Sequence, residues 1–309
     1  MPINFLQKYE QLKKSVPIPA VRVTQIENCE MVDYTHFSKH CYQTFVVMAS
    51  ENILYSTLSV GKNLVDCELC IFSELCYGCI QTSNSYGCSF TEDCDHCQDC
   101  HFCIGCNNCQ NCFGCVALTN KQYCFFNKQY TQIEYGQKLQ AAKKEAVAAN
   151  HKKIKALFIT IPQPQSRQHN NKNCPYGDYL NNSKNVYWGF NTFFAEDSGY
   201  LFNCGTIRNS WDNTFTGGGG SGTNNITAIT DELVYGMVGG ANNYACSFSE
   251  YLNYCRDCHY CASCQNCQDC FGCAGLSKKQ YCVFNNQLTK EEYEKAVSEI
   301  KKELGWKIV

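Results

Sequence analysis

Small side chains recur at every third position along this chain, with aromatic, amide and acidic residues between them. The period is unbroken in Cys94, Cys97, Cys100, Cys103, Cys106, Cys109, Cys112 and Cys115, and again in Cys255, Cys258, Cys261, Cys264, Cys267, Cys270 and Cys273. Where cysteine thins out, the first phase is kept by Cys67, Cys70, Cys76, Cys79, Cys88 and Cys124, with Ser73, Thr82, Ser85 and Thr91 between. The second is kept by Cys174, Ser183, Val186, Thr192, Ala195, Ser198, Cys204, Ser210, Thr216, Cys246, Ser249 and Cys282. A period of three is neither the 3.6 of a helix nor the 2.0 of a flat strand.

A longer period lies on top of it. Cys76, Cys88, Cys100, Cys112 and Cys124 are twelve residues apart, as are Cys246, Cys258, Cys270 and Cys282. Cys29, Cys41 and Ile53 form a column in another phase, which predicts a slip of register between Ser59 and Leu64. Four inward positions per twelve-residue coil predict a mainly β fold: narrow β-solenoids in tandem with Cys, Ser and Thr in the core. Such a coil has a perimeter of only ~40 Å at a rise of about 3.3 Å per residue. The interior is therefore expected to take Cys, Ser, Thr, Ala and Gly and to exclude most Leu and Phe.

The chain is duplicated. CQNCFGCVALTNKQYCFFNKQYTQIEY, residues 109–135, matches CQDCFGCAGLSKKQYCVFNNQLTKEEY, residues 267–293. Thr131 with Glu134, and Thr289 with Glu292, have the spacing of a helix capping box. Beyond them Tyr135, Leu139, Ala142, Ala146 and Ala149, and Tyr293, Ala296, Val297, Ile300 and Leu304, recur at helical spacing. The expected organisation is an N-terminal cap segment (1–20), a first solenoid (21–130), a helix and linker (131–165), a second solenoid (166–288) and a C-terminal helix (289–309). The first of these helices is expected to run to about Lys155, and a short one to occupy Asn4 to Lys14. Lys121 and Lys279 fall on inward positions, so each stack should end there, with the ammonium reaching water and the helix covering the open strand edge.

Cysteine makes up 27 of 309 residues, and the net charge is −2. Neither a long apolar run nor a basic region leading into an apolar core is present, which predicts a cytoplasmic protein with reduced thiols and no nucleic-acid or membrane partner. Self-association through the helices or the solenoid ends stays open.

Ser85 through Tyr135, with its C-x-x-C runs, F-G-C and K-Q-Y-C-F-F-N-K-Q-Y-T, resembles a family of cysteine-rich repeat proteins predicted from genomes of uncultured, small-genome bacteria. The closing phrase carries the resemblance in both halves, and Phe5 to Val21 resembles the stretch that precedes the repeats there. Many members carry a further zinc-ribbon-like N-terminal segment, so the resemblance implies a shortened or specialised member. It supports the repeat fold and implies no established activity. The coil length is also similar to that of the beetle antifreeze solenoid, but the positions flanking the cysteine column hold no threonine ladder, which argues against ice binding.

Three chemistries fit the cysteines. C-x-x-C pairs in tandem are half-sites for zinc, copper(I) or an iron–sulfur cluster, so the fifteen cysteines of the two runs are candidate metal ligands. Metal ions are then the partner, with zinc or an iron–sulfur cluster as cofactor, and storage, buffering or electron transfer as the role. Alternatively the thiols are small apolar filler with no cofactor, in a scaffold that displays its outer faces. Or they cross the coil as cystines, which requires an oxidising compartment.

His96, His101 and His259 flank inward positions and should lie on the surface. Lys138, Lys143, Lys144, Lys152, Lys153 and Lys155 make one helix face basic, as solvated faces are. Gly217 to Gly222 is expected to be a loop, since no Gly-Lys-Ser/Thr follows to bind phosphate. Tyr187, Trp188, Phe190, Phe193 and Phe194 should cover a solenoid flank. No catalytic constellation is present, and the expectation is a protein that is not an enzyme.

Overall fold

The computed structural model describes residues 4–18, 22–48, 50–59, 61–66, 98–162, 164–216 and 231–306. Cys94, Cys97, His96, the cysteines from Cys67 to Cys88 and the Gly217–Gly222 segment lie outside the described residues. The protein is mainly β, its strands nearly all parallel, and the described residues include four helices: α1 (Phe5–Ser15), α2 (Gln132–Ala142), α3 (Val147–Thr160) and α4 (Lys290–Glu303).

Strands pair with the segment twelve residues on. Gln98, Cys100 and His101 pair with Gln110, Cys112 and Phe113, and Gln122, Cys124 and Phe125 follow. In the second half Arg256, Cys258 and His259 pair with Gln268, Cys270 and Phe271, then with Gln280, Cys282 and Val283. The residue just before nearly every inward side chain is left-handed: Asp99, Phe102, Asn108 and Asn111 have φ of 50°, 56°, 49° and 51°. This turn every third residue brings side chains three apart onto the same interior. Asn, Asp and Gly tolerate that conformation best, which explains their frequency there. Where Asn occupies it in successive repeats the amides bond along the stack, as in Asn108 to Asn120 at 2.6 Å and Asn173 to Asn185 at 3.0 Å.

The expected slip is present. Glu51 pairs with Lys62 and Ile53 with Leu64, eleven residues apart, so the buried phase jumps between Ser59 and Leu64. A second irregularity was not foreseen. Thr214 pairs with Val238 and Thr216 with Gly240, 24 residues apart, so one whole repeat length is skipped and the phase is kept.

The interior is roomier than expected. Leu180, Leu201, Ile207, Met237 and Leu252 are fully buried on inward positions. Glycine neighbours release the volume: a Cβ on Gly189 would come within 2.9 Å of Leu180 Cδ1.

The chain forms two compact units, residues 20–164 and residues 1–19 with 165–309. In the first, Tyr135 and Ala142 of α2 pack on Phe113. The helical run breaks after Ala142, where the Asn150 side chain donates to the Ala142 carbonyl (3.2 Å), and α3 then extends to Thr160. The single helix expected to reach Lys155 is thus two helices. Ala146 and Ala149, placed on its buried face by spacing, are exposed, while Asn150 and Ile154 are buried.

In the other unit, Tyr293 and Val297 of α4 and Phe5 and Tyr9 of α1 cover Phe271, Ala262 and Ala274. Burying each such side chain contributes about 2 kcal/mol. Residues 1–19 therefore group with residues 165–309, not with the strands that follow them.

Both stacks end alike. Lys121 and Lys279 are exposed, two-residue antiparallel strands (Lys128–Gln129 and Asn286–Gln287) turn the chain back, and capping boxes at Thr131 and Thr289 start α2 and α4.

Candidate functional site

The left-handed turns deliver the cysteines to two internal walls. Cys100, Cys103, Cys106, Cys109, Cys112 and Cys115 are wholly buried and, with Cys124, form one cluster. Cys255, Cys258, Cys261, Cys264, Cys267, Cys270 and Cys273 are as buried and share a cluster with Cys246 and Cys282. All twenty described cysteines are free thiols.

Each buried thiol has defined acceptors. The single S–H of Cys100 has two carbonyl acceptors in reach, that of Gln98 two residues back (3.5 Å) and that of Cys109 nine residues on (3.5 Å). Cys258 has the equivalent two in reach, those of Arg256 (3.3 Å) and Cys267 (3.5 Å). Serine and threonine on the same positions make the first of these bonds: Ser198 Oγ to Glu196 O at 2.6 Å, Ser210 Oγ to Arg208 O at 2.6 Å, Ser249 Oγ to Ser247 O at 2.8 Å, and Thr192 Oγ1 to Phe190 O at 3.1 Å. Where the inward residue is polar, it is one that can donate to that carbonyl.

The sulfurs also contact one another, three residues apart around the repeat and twelve apart along it. Hydrogen bonds with Cys100, Cys106 and Cys115, with burial added, hold the Cys103 thiol well above its ordinary range. At Cys106 the bond from Cys103 pulls downward, but Cys109 and burial carry the thiol up to about 12. Cys115 is drawn down instead, by the Sγ–H groups of Cys103 and Cys112. In the second array burial raises Cys261, and Cys258, Cys264 and Cys273 together lower it by more. The walls are thus thiol networks in which a few sulfurs accept from several neighbours.

Among the described residues, no group of three or more His, Cys, Asp or Glu side chains is disposed to hold a metal ion. The thirteen described members of the two expected ligand runs are brought together in two clusters.

The histidines also differ from expectation. His259 points away from the thiols but is covered: Trp306 lies at 5.2 Å, Phe271 at 5.8 Å, and Ser247 Oγ is 2.8 Å from Nδ1. Burial and the Lys301 ammonium push its pKa down to about 4. Asp257, Asp269, Glu294, Lys301 and Lys302 share with it a cleft of about 430 Å³ beside α4. His101, Lys143 and Asp99 repeat this grouping in the first half, again with the histidine lowered by burial and by the lysine.

The outer faces carry ladders of rings. Tyr176, Tyr187, Tyr200 and Trp211 follow one another with centroids 5.4, 5.5 and 6.2 Å apart, and Trp188, Phe190 and Phe194 are likewise exposed. The aromatic cluster read from the sequence is thus an open face. The left-handed positions escaped that reading, although the recurrence of Asn, Asp and Gly one residue before each inward position signals them.

No protein-family model matches the chain. No curated protein matches it. Among solved structures, a UDP-N-acetylglucosamine acyltransferase from Campylobacter jejuni is similar over 91% of this chain and 83% of its own, at 8% identity and a TM-score of 0.10. A score that low supports no argument about fold or activity. Among the described residues, no helix is long and apolar enough to cross a membrane.

Proposed function

We propose that this protein is a non-enzymatic scaffold. Its two tandem β-solenoids are packed with thiols, and it displays aromatic and asparagine ladders to a macromolecular partner. The observation that carries the reading is the shared bond to the carbonyl two residues back, made by Cys258 Sγ, Ser198 Oγ and Ser249 Oγ alike. A thiol that replaces a serine in the same hydrogen bond acts as a packing group with a weak donor. The reading places the chain in the reducing cytoplasm, where dense free thiols persist, and among the cysteine-rich repeat proteins that its closing phrases resemble.

The second reading, a store or carrier of soft metal, is favoured by one observation: the sulfurs touch in runs, and Cys115 and Cys261 are held toward thiolate by their neighbours. Zinc, copper(I) or iron–sulfur iron would then be held by Cys100 to Cys115 and Cys255 to Cys273 after loss of the thiol protons. Anaerobically purified protein separates the two. The scaffold reading expects no stoichiometric Zn, Fe or Cu, a full count of thiols on denaturation, and a melting temperature unmoved by chelator. Several metal ions per chain, lost in Cys100→Ser with Cys112→Ser, would overturn it in favour of the second.

A further inference from the structure

Two alignments of the halves hold at once, and together they exchange the helices. From the closing phrases, Phe126 corresponds to Phe284 and Phe102 to Tyr260. From the opening phrases, Arg22 corresponds to Arg167: the backbone N–H of each donates to an aspartate eleven residues on, Asp33 (2.7 Å) and Asp178 (2.5 Å), and each guanidinium bonds the same carboxylate at 2.6 and 2.8 Å. The opening alignment continues upstream. Pro17 falls on Pro162, and the buried pair Phe5 and Tyr9 of α1 falls on the buried pair Asn150 and Ile154 of α3. So α1 and α3 are counterparts, the leading helices of two modules. Each module is then a leading helix, a proline hinge, a stack, and a capped trailing helix.

Each leading helix lies on the other module's stack. α1 places Phe5 at 5.2 Å from Tyr260 and 5.3 Å from both Phe271 and Phe284, with Lys8 Nζ 6.0 Å over Phe284. α3 places His151 at 6.4 Å from Phe102, with Lys153 Nζ 5.9 Å over Phe126. Lys8 and Lys153 correspond, as do Phe284 and Phe126, so the same docking occurs twice with the helices traded. The unit boundaries say the same: residues 1–19 belong with 165–309, and α3 belongs with 20–164. The hinges favour the trade, because a residue before proline is held extended and the helix ends there rather than folding back.

We infer that the chain is the covalent form of a helix-exchanged dimer of one module. The aromatic seat of Tyr260, Phe271 and Phe284 is then built to receive the leading helix of a second copy of that module.

The test uses the full chain with a protease site inserted between Pro162 and Arg167, cleaved after purification. The two fragments are expected to elute together, because α1 of the first stays on the stack of the second. They are expected to part when Phe5→Asp and Tyr9→Asp are combined, and to stay together with Phe5→Leu. Wild-type fragments that separate on cleavage, or double-variant fragments that stay together, would overturn the inference. Pulsed thiol labelling of the uncut double variant is a second readout if the nicked variant aggregates. Cys261 and Cys264 should label about tenfold faster than in wild type, the effect of losing two aromatic contacts, and Cys103 and Cys106 at an unchanged rate. The reverse order would place α1 with the stack it precedes and refute the exchange.

Discussion

The Asn285 carboxamide takes the place of a neighbouring strand for Ala274: its Oδ1 accepts the Ala274 N–H (2.9 Å) and its Nδ2 donates to the Ala274 carbonyl (2.8 Å). Asn127 does the same for Val116, with both bonds at 2.8 Å. A stack of parallel strands must end with backbone groups that have no further strand to pair with, and leaving a buried one unsatisfied costs about 1–3 kcal/mol. Asn285→Ala is therefore expected to lower stability by about 2–3 kcal/mol, read as a shift in the urea midpoint. Asn127→Ala should shift protection from hydrogen exchange in residues 98–130 and leave residues 255–285 unchanged.

The pairing of Thr216 with Gly240 predicts a tolerated deletion. Removing residues 218–229 takes out one repeat length and keeps Asp231 in register with Ile207, its present partner. Stability should stay within about 1 kcal/mol of wild type, since the length of chain between fixed ends enters only logarithmically. Removing eleven or thirteen residues leaves the segment between Thr216 and Asp231 one residue longer or shorter and should lower the melting temperature below that of the twelve-residue deletion. Equal melting curves for all three deletions would show that register across this junction is not what holds the stack.

Cys258 offers a test of what the thiols contribute. Serine keeps the donor to the Arg256 carbonyl, 3.3 Å away from the sulfur. Cys258→Ser should cost no more than about 1 kcal/mol. Cys258→Phe forces a ring between wholly buried neighbours and should cost about 2–3 kcal/mol or prevent folding. Denaturant titration of the two variants distinguishes a packing position, where size matters most, from a ligand position, where serine would be as damaging as phenylalanine.

Acid should destabilise the C-terminal unit through His259. Burial first, and the Lys301 ammonium second, hold its pKa at about 4, against an ordinary 6.5. Between those values the unfolded chain takes up a proton that the folded chain refuses, so stability falls as pH drops from about 6.5 to 4. The loss reaches about 2–3 kcal/mol. Asp257, Asp269 and Glu294 share the cleft, and His259→Gln should flatten this window. Glu134 and Glu292, lowered by the backbone N–H groups of Thr131 and Thr289, lose their contribution only below the usual carboxylate range. A wild-type melting temperature that is constant from pH 7 to 4.5 would count against a neutral buried His259.

Much of this architecture was legible in the residues. The three- and twelve-residue periods place Cys100 over Cys112 and Cys258 over Cys270, and the phase change between Cys41 and Leu64 locates the slip. Thr131 and Glu134 mark a helix start because a capping box is a contact between residues three apart. These features are local or periodic, and a periodic structure writes its period into every repeat.

What the tertiary structure alone decided is neither local nor periodic. The sequence marks a short helix between Asn4 and Lys14, and the structure buries its Phe5 and Tyr9. The sequence does not say that they pack on Phe271 rather than on the strands that come next, because Phe5 and Phe271 meet across 266 residues. Cysteine spacing brings sulfurs to one wall, but which acceptors their protons meet depends on where the Gln98 and Cys109 carbonyls point. That orientation is set by a left-handed residue every third position and by the strand stacked above. His259, read as a surface residue from its alternation, is covered only once Trp306 folds back over it. Alternation tells a side chain which way to face. What lies in that direction is supplied by a distant part of the chain, brought there because burying aromatic surface is favourable.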